Sequence, residues 1–84
     1  MLSKDDFEFM VLCSLRYTLG RRSYVVGWFK DIVAQYKTLL STETLKLVIK
    51  EVSEKDDLGM QQDIMCWGEV VDLCNREIQR RLTE

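Results

Sequence analysis

Apolar residues recur at intervals of three and four positions along nearly the whole chain, which is the spacing of one face of an α-helix. A first helix is predicted between Ser3, which with Asp6 resembles an N-cap and its acidic first turn, and Gly20, which suits the position after a helix. Because its apolar residues cover most sides, we expect this helix to be sandwiched between others. These residues are Phe7, Phe9, Met10, Val11, Leu12, Cys13 and Leu15.

A second helix is predicted to begin near Ser23. Gly27 weakens it by about 1 kcal/mol relative to alanine, and one interpretation is that this glycine lets a neighbouring helix approach beside the bulk of Trp28. The predicted core stripe consists of Val25, Trp28, Phe29, Ile32, Tyr36, Leu39 and Leu40. The opposite, polar face consists of Lys30, Asp31, Gln35, Lys37 and Thr38.

A third, shorter helix is predicted to follow the cap sequence Ser-Thr-Glu at 41–43. On its exposed side, Lys50 stands four residues before Glu54 and Glu51 four before Lys55, the spacing of ion pairs within a helix. The acidic run 51–57 ends before Gly59, and we interpret it as a solvated helix end and loop rather than a binding site. The predicted core side consists of Leu45, Val48, Ile49 and Val52.

The last segment has the most regular pattern, nearly a heptad seam. The favoured interpretation is that the seam packs within the monomer, because a small core needs every apolar face; the alternative is a homodimer through the Met60–Leu82 helix. The seam residues are Met60, Ile64, Trp67, Val71, Cys74, Ile78 and Leu82. The basic cluster of this helix is interpreted as a solvated face paired with acidic neighbours, and comprises Arg76, Arg80 and Arg81 beside Asp72 and Glu77.

The pattern as a whole predicts an all-α fold, a compact bundle of three to four helices in a single domain over residues 1–84. The chain contains no proline, which favours helices over a fold rich in turns. Of its 84 residues 46% are hydrophobic, an ordinary share for a globular domain. A core of this size supplies only ~3–5 kcal/mol of net stability, so oligomerisation would be a natural supplement.

The residue types present remove most enzymatic chemistry. The sequence has no histidine, and its four glycines are isolated rather than grouped in a phosphate-binding loop. The adjacent pairs Asp5-Asp6 and Asp56-Asp57 face different directions on a helix and do not converge. We therefore expect a protein that is not an enzyme and has no cofactor or metal, a small enzyme using carboxylates alone being the disfavoured alternative.

The cysteines and the start of the chain predict a location. All three cysteines lie in apolar helical patterns with no metal-ligand spacing, so we expect buried thiols of an intracellular protein: Cys13, Cys66 and Cys74. Charged residues at 4–6 interrupt any early apolar run, and the longest apolar block, 9–13, is too short to span a bilayer. The expected protein is soluble and cytoplasmic, with no membrane partner.

The most informative polar cluster is the turn between the first two helices, where three arginines fall within the seven residues 16–22. Guanidinium groups beside aromatic rings bind carboxylates or phosphates, and free N–H groups at the start of the second helix would complete an anion pocket. A structural role, in which the arginines complement the dipole at the end of the first helix, is the alternative. The candidate partner-binding residues are Arg16, Tyr17, Arg21, Arg22 and Tyr24.

The order Leu-Arg-Tyr-Thr-Leu-Gly-Arg-Arg-Ser-Tyr at 15–24 resembles a pattern of small uncharacterised proteins from bacteriophages and prophages, and the similarity extends to the final helix from Trp67 onward. The resemblance implies a phage-encoded protein that docks on a host protein machine and modulates or inhibits it, anti-CRISPR and anti-restriction proteins being one class. The expected mechanism is occlusion of the partner's functional surface, with the arginine turn as the contact.

The alternative function is that of a nucleic-acid or nucleotide-binding accessory protein that uses the arginine turn. A net charge of −2 disfavours binding dominated by electrostatics. A helix-turn-helix could be built around the short link 40–42, but the helix that follows opens with Thr42-Glu43-Thr44 rather than with basic residues.

Overall fold

The computed structural model describes residues 3–19 and 24–83, with only the backbone described at Tyr24. The described residues are mostly helical, with no strand among them, and fold into a compact bundle with a radius of gyration of 12.3 Å. The predicted all-α bundle is therefore confirmed. Its helices are α1 (Lys4–Thr18), α2 (Tyr24–Tyr36), α3 (Thr42–Glu54) and α4 (Gln61–Thr83), with one turn of 3₁₀-helix (Lys37–Leu39) after α2.

Two of the predicted helix starts are confirmed by their capping hydrogen bonds. The hydroxyl of Ser3 accepts from the Asp6 N–H at 3.1 Å, and the hydroxyl of Ser41 accepts from the Thr44 N–H at 3.1 Å. Each serine thereby satisfies an amide that the helix itself leaves without a partner. The predicted end of the first helix at Gly20 and the predicted start of the second at Ser23 lie outside the described residues.

The central helix of the bundle is α4, which packs along both α2 and α3. Its Trp67 is fully buried and lies against Phe29 of α2, with ring centroids 5.7 Å apart. The prediction that the first helix is sandwiched is wrong, because α1 touches α2 and α3 along one side only, where Val11 and Leu15 are buried. The core consists of Val11, Leu15, Val26, Phe29, Val33, Leu40, Leu45, Val48, Val52, Trp67, Val70, Cys74 and Ile78.

The buried side of α2 differs from the predicted stripe. Val26, Phe29 and Val33 enter the core, whereas Trp28 and Ile32 are exposed. Two apolar rows lie side by side on this helix, and α4 covers only one of them. Gly27 allows no close approach, since a Cβ at this position would meet nothing within 4 Å; that interpretation is also wrong.

The middle of the predicted seam on α4 is part of the monomer's core. Trp67, Cys74 and Ile78 are buried, but Met60 and Leu82 at its two ends are exposed. A second copy of the chain could therefore reach only the ends of the seam. Within the described residues, none of the helices combines the length and the apolar run that a membrane crossing requires.

Candidate functional site

Arg16, the first residue of the predicted arginine turn, forms a two-point ion pair with Glu51 of α3. Its Nε and Nη2 donate to the two carboxylate oxygens of Glu51, each at 3.0 Å. These hydrogen bonds, with the attraction of the carboxylate, raise the pKa of the guanidinium. The geometry supports a structural role for Arg16, which ties the last turn of α1 to α3. This ion pair also corrects the expected pairing of Glu51 with Lys55. Because α3 ends at Glu54, Lys55 lies outside the helix, and Glu51 pairs with Arg16 instead.

The remaining arginines of the turn, Arg21 and Arg22, lie outside the described residues, as does the side chain of Tyr24. Their role in partner binding stays a prediction. Of the two candidates whose side chains the structure describes, Arg16 and Tyr17, it is Tyr17 that lies on a concave surface.

That surface is a cleft between α1 and α2 with a volume of about 340 Å³. Its α1 side comes from residues 13–18, late in that helix, and its α2 side from residues 25–32, early in that helix. Tyr17 on one wall is 60% exposed, and Trp28 on the other is 66% exposed. The cleft is lined by Cys13, Ser14, Tyr17, Thr18, Val25, Trp28, Phe29 and Ile32.

The spacing along α2 predicts Trp28 in the core, but the structure exposes it in this cleft, so it is a site residue that the sequence does not reveal. Its neighbour Phe29 fills the core position instead, against Trp67. The one sequence signal was the presence of two adjacent apolar rows on α2, more than a single partner helix can cover. Helix α1 likewise has apolar side chains that no other helix covers, Phe9 and Met10.

The cleft presents mainly apolar and aromatic groups, together with the thiol of Cys13 and the hydroxyls of its serine, threonine and tyrosine side chains. Among the residues that the structure describes, none of those lining the cleft is charged. The hydroxyl of Thr18 donates to the Ser14 carbonyl at 2.6 Å and is thereby occupied within α1. In the described ranges, no group of cysteine and carboxylate side chains is arranged to hold a metal ion. Such a cleft suits an apolar side chain of a ligand or partner.

A second cleft, of about 390 Å³, lies between the start of α1 and the 3₁₀-helix. It is lined by Ser3, Lys4, Phe7, Thr38 and Leu39. Its aromatic side chain, Phe7, already makes an edge-on contact with Tyr36, with centroids 5.7 Å apart. The α1–α2 cleft, with two largely exposed aromatic side chains, is therefore the better candidate for a site.

The three cysteines differ in exposure, which corrects the expectation that all are buried. Cys13 is exposed in the cleft, Cys66 is half-buried, and Cys74 is fully buried. Burial raises the pKa of the Cys74 thiol to about 11.

At about pH 7.5 we expect a water-soluble thiol reagent to modify Cys13 first and Cys74 only on unfolding, because the thiolate is the reactive form. Timed alkylation followed by mass spectrometry of peptides measures the order. Cys13→Ser should remove the fast phase and leave the slower phases unchanged; a fast phase that persists in this variant would contradict the assignment.

The basic cluster of α4 is less solvated than predicted. Arg76 pairs with Asp72 on the surface as expected, at 2.9 Å, but Glu77 is only 2% exposed. Arg80 and Arg81 both donate to the Glu77 carboxylate, at 2.7 and 2.9 Å. The hydrogen bond from Arg80, followed by that from Arg81, outweighs burial and lowers the pKa of Glu77 to about 2. The cluster is thus a partly buried ion network.

The same network holds the link between α2 and α3. Arg81 donates to the carbonyls of Lys37 and Leu40, at 3.1 and 2.6 Å, and to the Thr42 hydroxyl at 2.9 Å. From the other side, the Glu8 carboxylate accepts from the Ser41 N–H. Burial raises the pKa of Glu8, but its hydrogen bonds with Ser41 and Thr44 outweigh this and lower it. The link considered for a helix-turn-helix is therefore held by contacts within the protein.

Comparison of the chain with protein-family models, curated proteins and solved structures finds no match.

Proposed function

We propose that this chain is a non-enzymatic binding protein that docks onto another protein through the α1–α2 cleft. The observation that carries the proposal is the exposure of two large aromatic side chains, Trp28 and Tyr17, on opposite walls of an uncharged cleft. Tryptophan and tyrosine are the residue types most enriched among those that dominate the energy of protein interfaces. More than half of each side chain is exposed to water in the isolated chain.

The chemistry of the cleft favours a protein partner over a small charged ligand. A charged ligand needs an opposite charge or several hydrogen-bond donors, whereas the described lining offers mainly carbon and aromatic surface. Contiguous exposed apolar surface on a small domain is typical of an interaction site. The bound partner would gain affinity from the area that the indole and phenol rings bury.

We propose further that the partner is a host protein. In this proposal the chain is a phage-encoded inhibitor that acts in the host cytoplasm. The proposal is supported by the resemblance of residues 15–24 to phage proteins. In this proposal the protein acts by covering a functional surface of the host machine. Of the five predicted contact residues, Tyr17 stays in the proposed interface, and Trp28, which was not among them, joins it at the cleft.

The proposal is tested by capture from bacterial lysate on immobilised protein, followed by a binding titration with the captured partner. Trp28→Ala should weaken binding by 10-fold or more, since truncating a central aromatic residue costs about 2 kcal/mol or more. Tyr17→Ala should weaken it in the same direction. The matched control is Leu82→Ala, which removes an equally exposed apolar side chain at the far end of α4.

Binding that survives Trp28→Ala and Tyr17→Ala, with both variants folded by circular dichroism, would overturn the proposed site. The nucleic-acid alternative has a different signature. Binding to phosphates weakens steeply as salt rises, by roughly one power of salt concentration per contact. A complex anchored on Trp28 should change little between low and high salt.

A further inference from the structure

We infer that α1 is a movable wall of the cleft: it undocks from the bundle as a unit, while α2, α3 and α4 stay folded around their own core. The cleft lies between α1 and α2, so it exists only while α1 is docked. The importance of this opening for binding rests on the proposed function, whereas the opening itself is a property of the isolated chain.

The core of the bundle is largely independent of α1. Among the described residues, α1 contributes Val11 and Leu15 to the buried cluster, and every other member lies within residues 26–78. The two largest fully buried side chains, Trp67 and Phe29, contact each other between α4 and α2. Most of the apolar core therefore keeps its partners when α1 leaves.

The other three helices are also tied together by polar contacts that do not involve α1. Arg81, near the end of α4, donates to two backbone carbonyls of the link between α2 and α3 and to the hydroxyl of Thr42 at the start of α3. Lys30 of α2 pairs with Glu69 of α4, with 2.7 Å between Nζ and Oε2. The contacts of α4 with both of its neighbours thus persist without α1.

The attachment of α1 is thinner and partly open to water. Besides its two core residues, two polar contacts described for this helix join it to α3. Arg16 pairs with Glu51, and the Glu8 carboxylate accepts from the Ser41 N–H. The Arg16 side chain is 55% exposed, and ion pairs in contact with water contribute little to stability. Segments with few buried apolar contacts are those that open below global unfolding.

Undocking of α1 takes the site apart. Cys13 and Tyr17 leave with α1, whereas Trp28 stays on α2. Phe29, which lines the cleft and is only 2% exposed, loses cover on that side. A single helix of 15 residues is marginal in water, so the undocked α1 also loses its helical hydrogen bonds. A partner that contacts both walls binds only the docked state and therefore holds α1 in place.

The test is native-state hydrogen exchange of the full chain, followed at the amides of residues 11–15 in α1 and 70–74 in α4. Both groups lie inside their helices, so fraying of helix ends affects neither. We expect the α1 amides to be less protected by about 10-fold or more, because α1 opens without global unfolding. Low concentrations of urea should accelerate exchange less steeply in α1 than in α4, since the partial opening exposes less surface.

Substitutions in two places separate partial from global opening. Gly59→Ala, in the loop before α4, should accelerate exchange in α4 by about 10-fold or more and leave α1 within about 2-fold of the wild type, because undocking of α1 leaves this strained turn intact. Asp63→Ala removes the cap of α4 and is the milder variant, with the same expected pattern, should Gly59→Ala fail to fold. Arg16→Gln should accelerate both groups alike, by about 2- to 5-fold, since its ion pair stabilises only the fully docked state.

The matched control is Arg76→Gln, which removes an exposed ion pair with Asp72 on α4. It should change neither group by more than about 2-fold. The control shows that loss of an arginine at the surface does not by itself accelerate exchange.

Amides of α1 that are as protected as those of α4 would overturn the inference, as would acceleration of both groups alike by Gly59→Ala. In either case α1 would open only with the whole bundle. The proposed function is judged separately, by the binding of a captured partner to Trp28→Ala. Binding through Trp28 to a chain whose α1 never opens alone would uphold the function and overturn the movable wall. An α1 that opens alone in a chain with no Trp28-dependent partner would uphold the movable wall and overturn the function.

Discussion

Glu77→Gln is expected to lower the free energy of unfolding at pH 7 by about 2–3 kcal/mol, because it removes the charge from a buried carboxylate that holds two arginines. Arg80 donates to Glu77 through both Nε and Nη2, at 3.1 and 2.7 Å, and Arg81 adds a third bond at 2.9 Å. Hydrogen bonds between ionised partners are the stronger kind. Glutamine keeps the volume and loses the charge.

The effect extends beyond α4 because Arg81 binds both Glu77 and the link between α2 and α3. The guanidinium that Glu77 positions also donates to the carbonyls of Lys37 and Leu40. These carbonyls lie in the link between α2 and α3. Loss of the Glu77 charge therefore loosens the docking of this link as well as the last turns of α4.

The stability contributed by Glu77 should depend on pH with a defined sign. The pKa of this carboxyl is about 2 in the folded protein against an ordinary value of 4.5. A carboxyl whose pKa is lowered by folding stabilises the protein fully above the unfolded value, and the contribution is lost as the pH falls through the folded value. The wild type should thus lose this stabilisation between about pH 4.5 and about pH 2, and Glu77→Gln should lack that part of the pH dependence.

Urea unfolding at pH 7, at about pH 4 and at about pH 2.5 measures both effects. The gap in stability between wild type and Glu77→Gln should be widest at pH 7 and should shrink toward the lowest pH. Asp72→Asn is the matched control, because the Asp72–Arg76 pair lies on the same helix but is largely exposed. It should change stability by less than about 1 kcal/mol. Equal effects of the two substitutions would contradict the buried network.

The local features of the fold were predictable because they depend on residues close in sequence. Ser3 and Ser41 each cap a helix through a bond to an amide three residues later, and Asp72 and Glu77 each meet an arginine four residues on. The apolar side of α3 is buried as expected at Leu45, because this helix carries a single apolar row.

The orientation of α2 was not predictable from its own sequence. One apolar row of α2 consists of Val26, Phe29 and Val33, and a second includes Trp28 and Ile32. Both rows have helical spacing, so periodicity alone does not tell which of them faces the core. The position of α4 determines which row is buried.

The ion pair of Arg16, in the candidate site, could not be predicted from the sequence either. Its partner Glu51 is 35 residues away along the chain, and the sequence offers Lys55 as a nearer partner for that carboxylate. Only the packing of α1 against α3 selects the distant pair. The exposed Trp28 is likewise a consequence of packing, which is why the aromatic part of the cleft was missed.

A substitution in the loop before α4 should lower the free energy of unfolding as much as loss of the Glu77 charge, although no large side chain is involved. Gly59 has a φ of +104°, a conformation that residues with a side chain rarely adopt. A Cβ at this position would lie 2.7 Å from the Oδ2 atom of Asp63. That oxygen accepts the N–H of Met60 at 3.1 Å and so caps the start of α4.

Gly59→Ala is therefore expected to lower the free energy of unfolding by about 2–3 kcal/mol, through backbone strain and displacement of the capping carboxylate together. Thermal and urea unfolding measure the loss. Gly27→Ala and Gly68→Ala are matched controls, since a Cβ at either position meets nothing within 4 Å. Both lie inside helices, where alanine should stabilise by about 0.5–1 kcal/mol.

The two causes at Gly59 can be separated by repeating Gly59→Ala in an Asp63→Ser background, where the shorter side chain relieves the contact with the new Cβ. If the displaced carboxylate contributes, the cost of alanine should be smaller in this background, and the two substitutions should not add. A cost that is unchanged would assign the whole effect to the backbone conformation. If Gly59→Ala stabilised the protein, as the two control substitutions should, the conclusion that this turn is strained for alanine would be wrong. Replacing glycine by alanine improves stability only where alanine can adopt the native φ without strain.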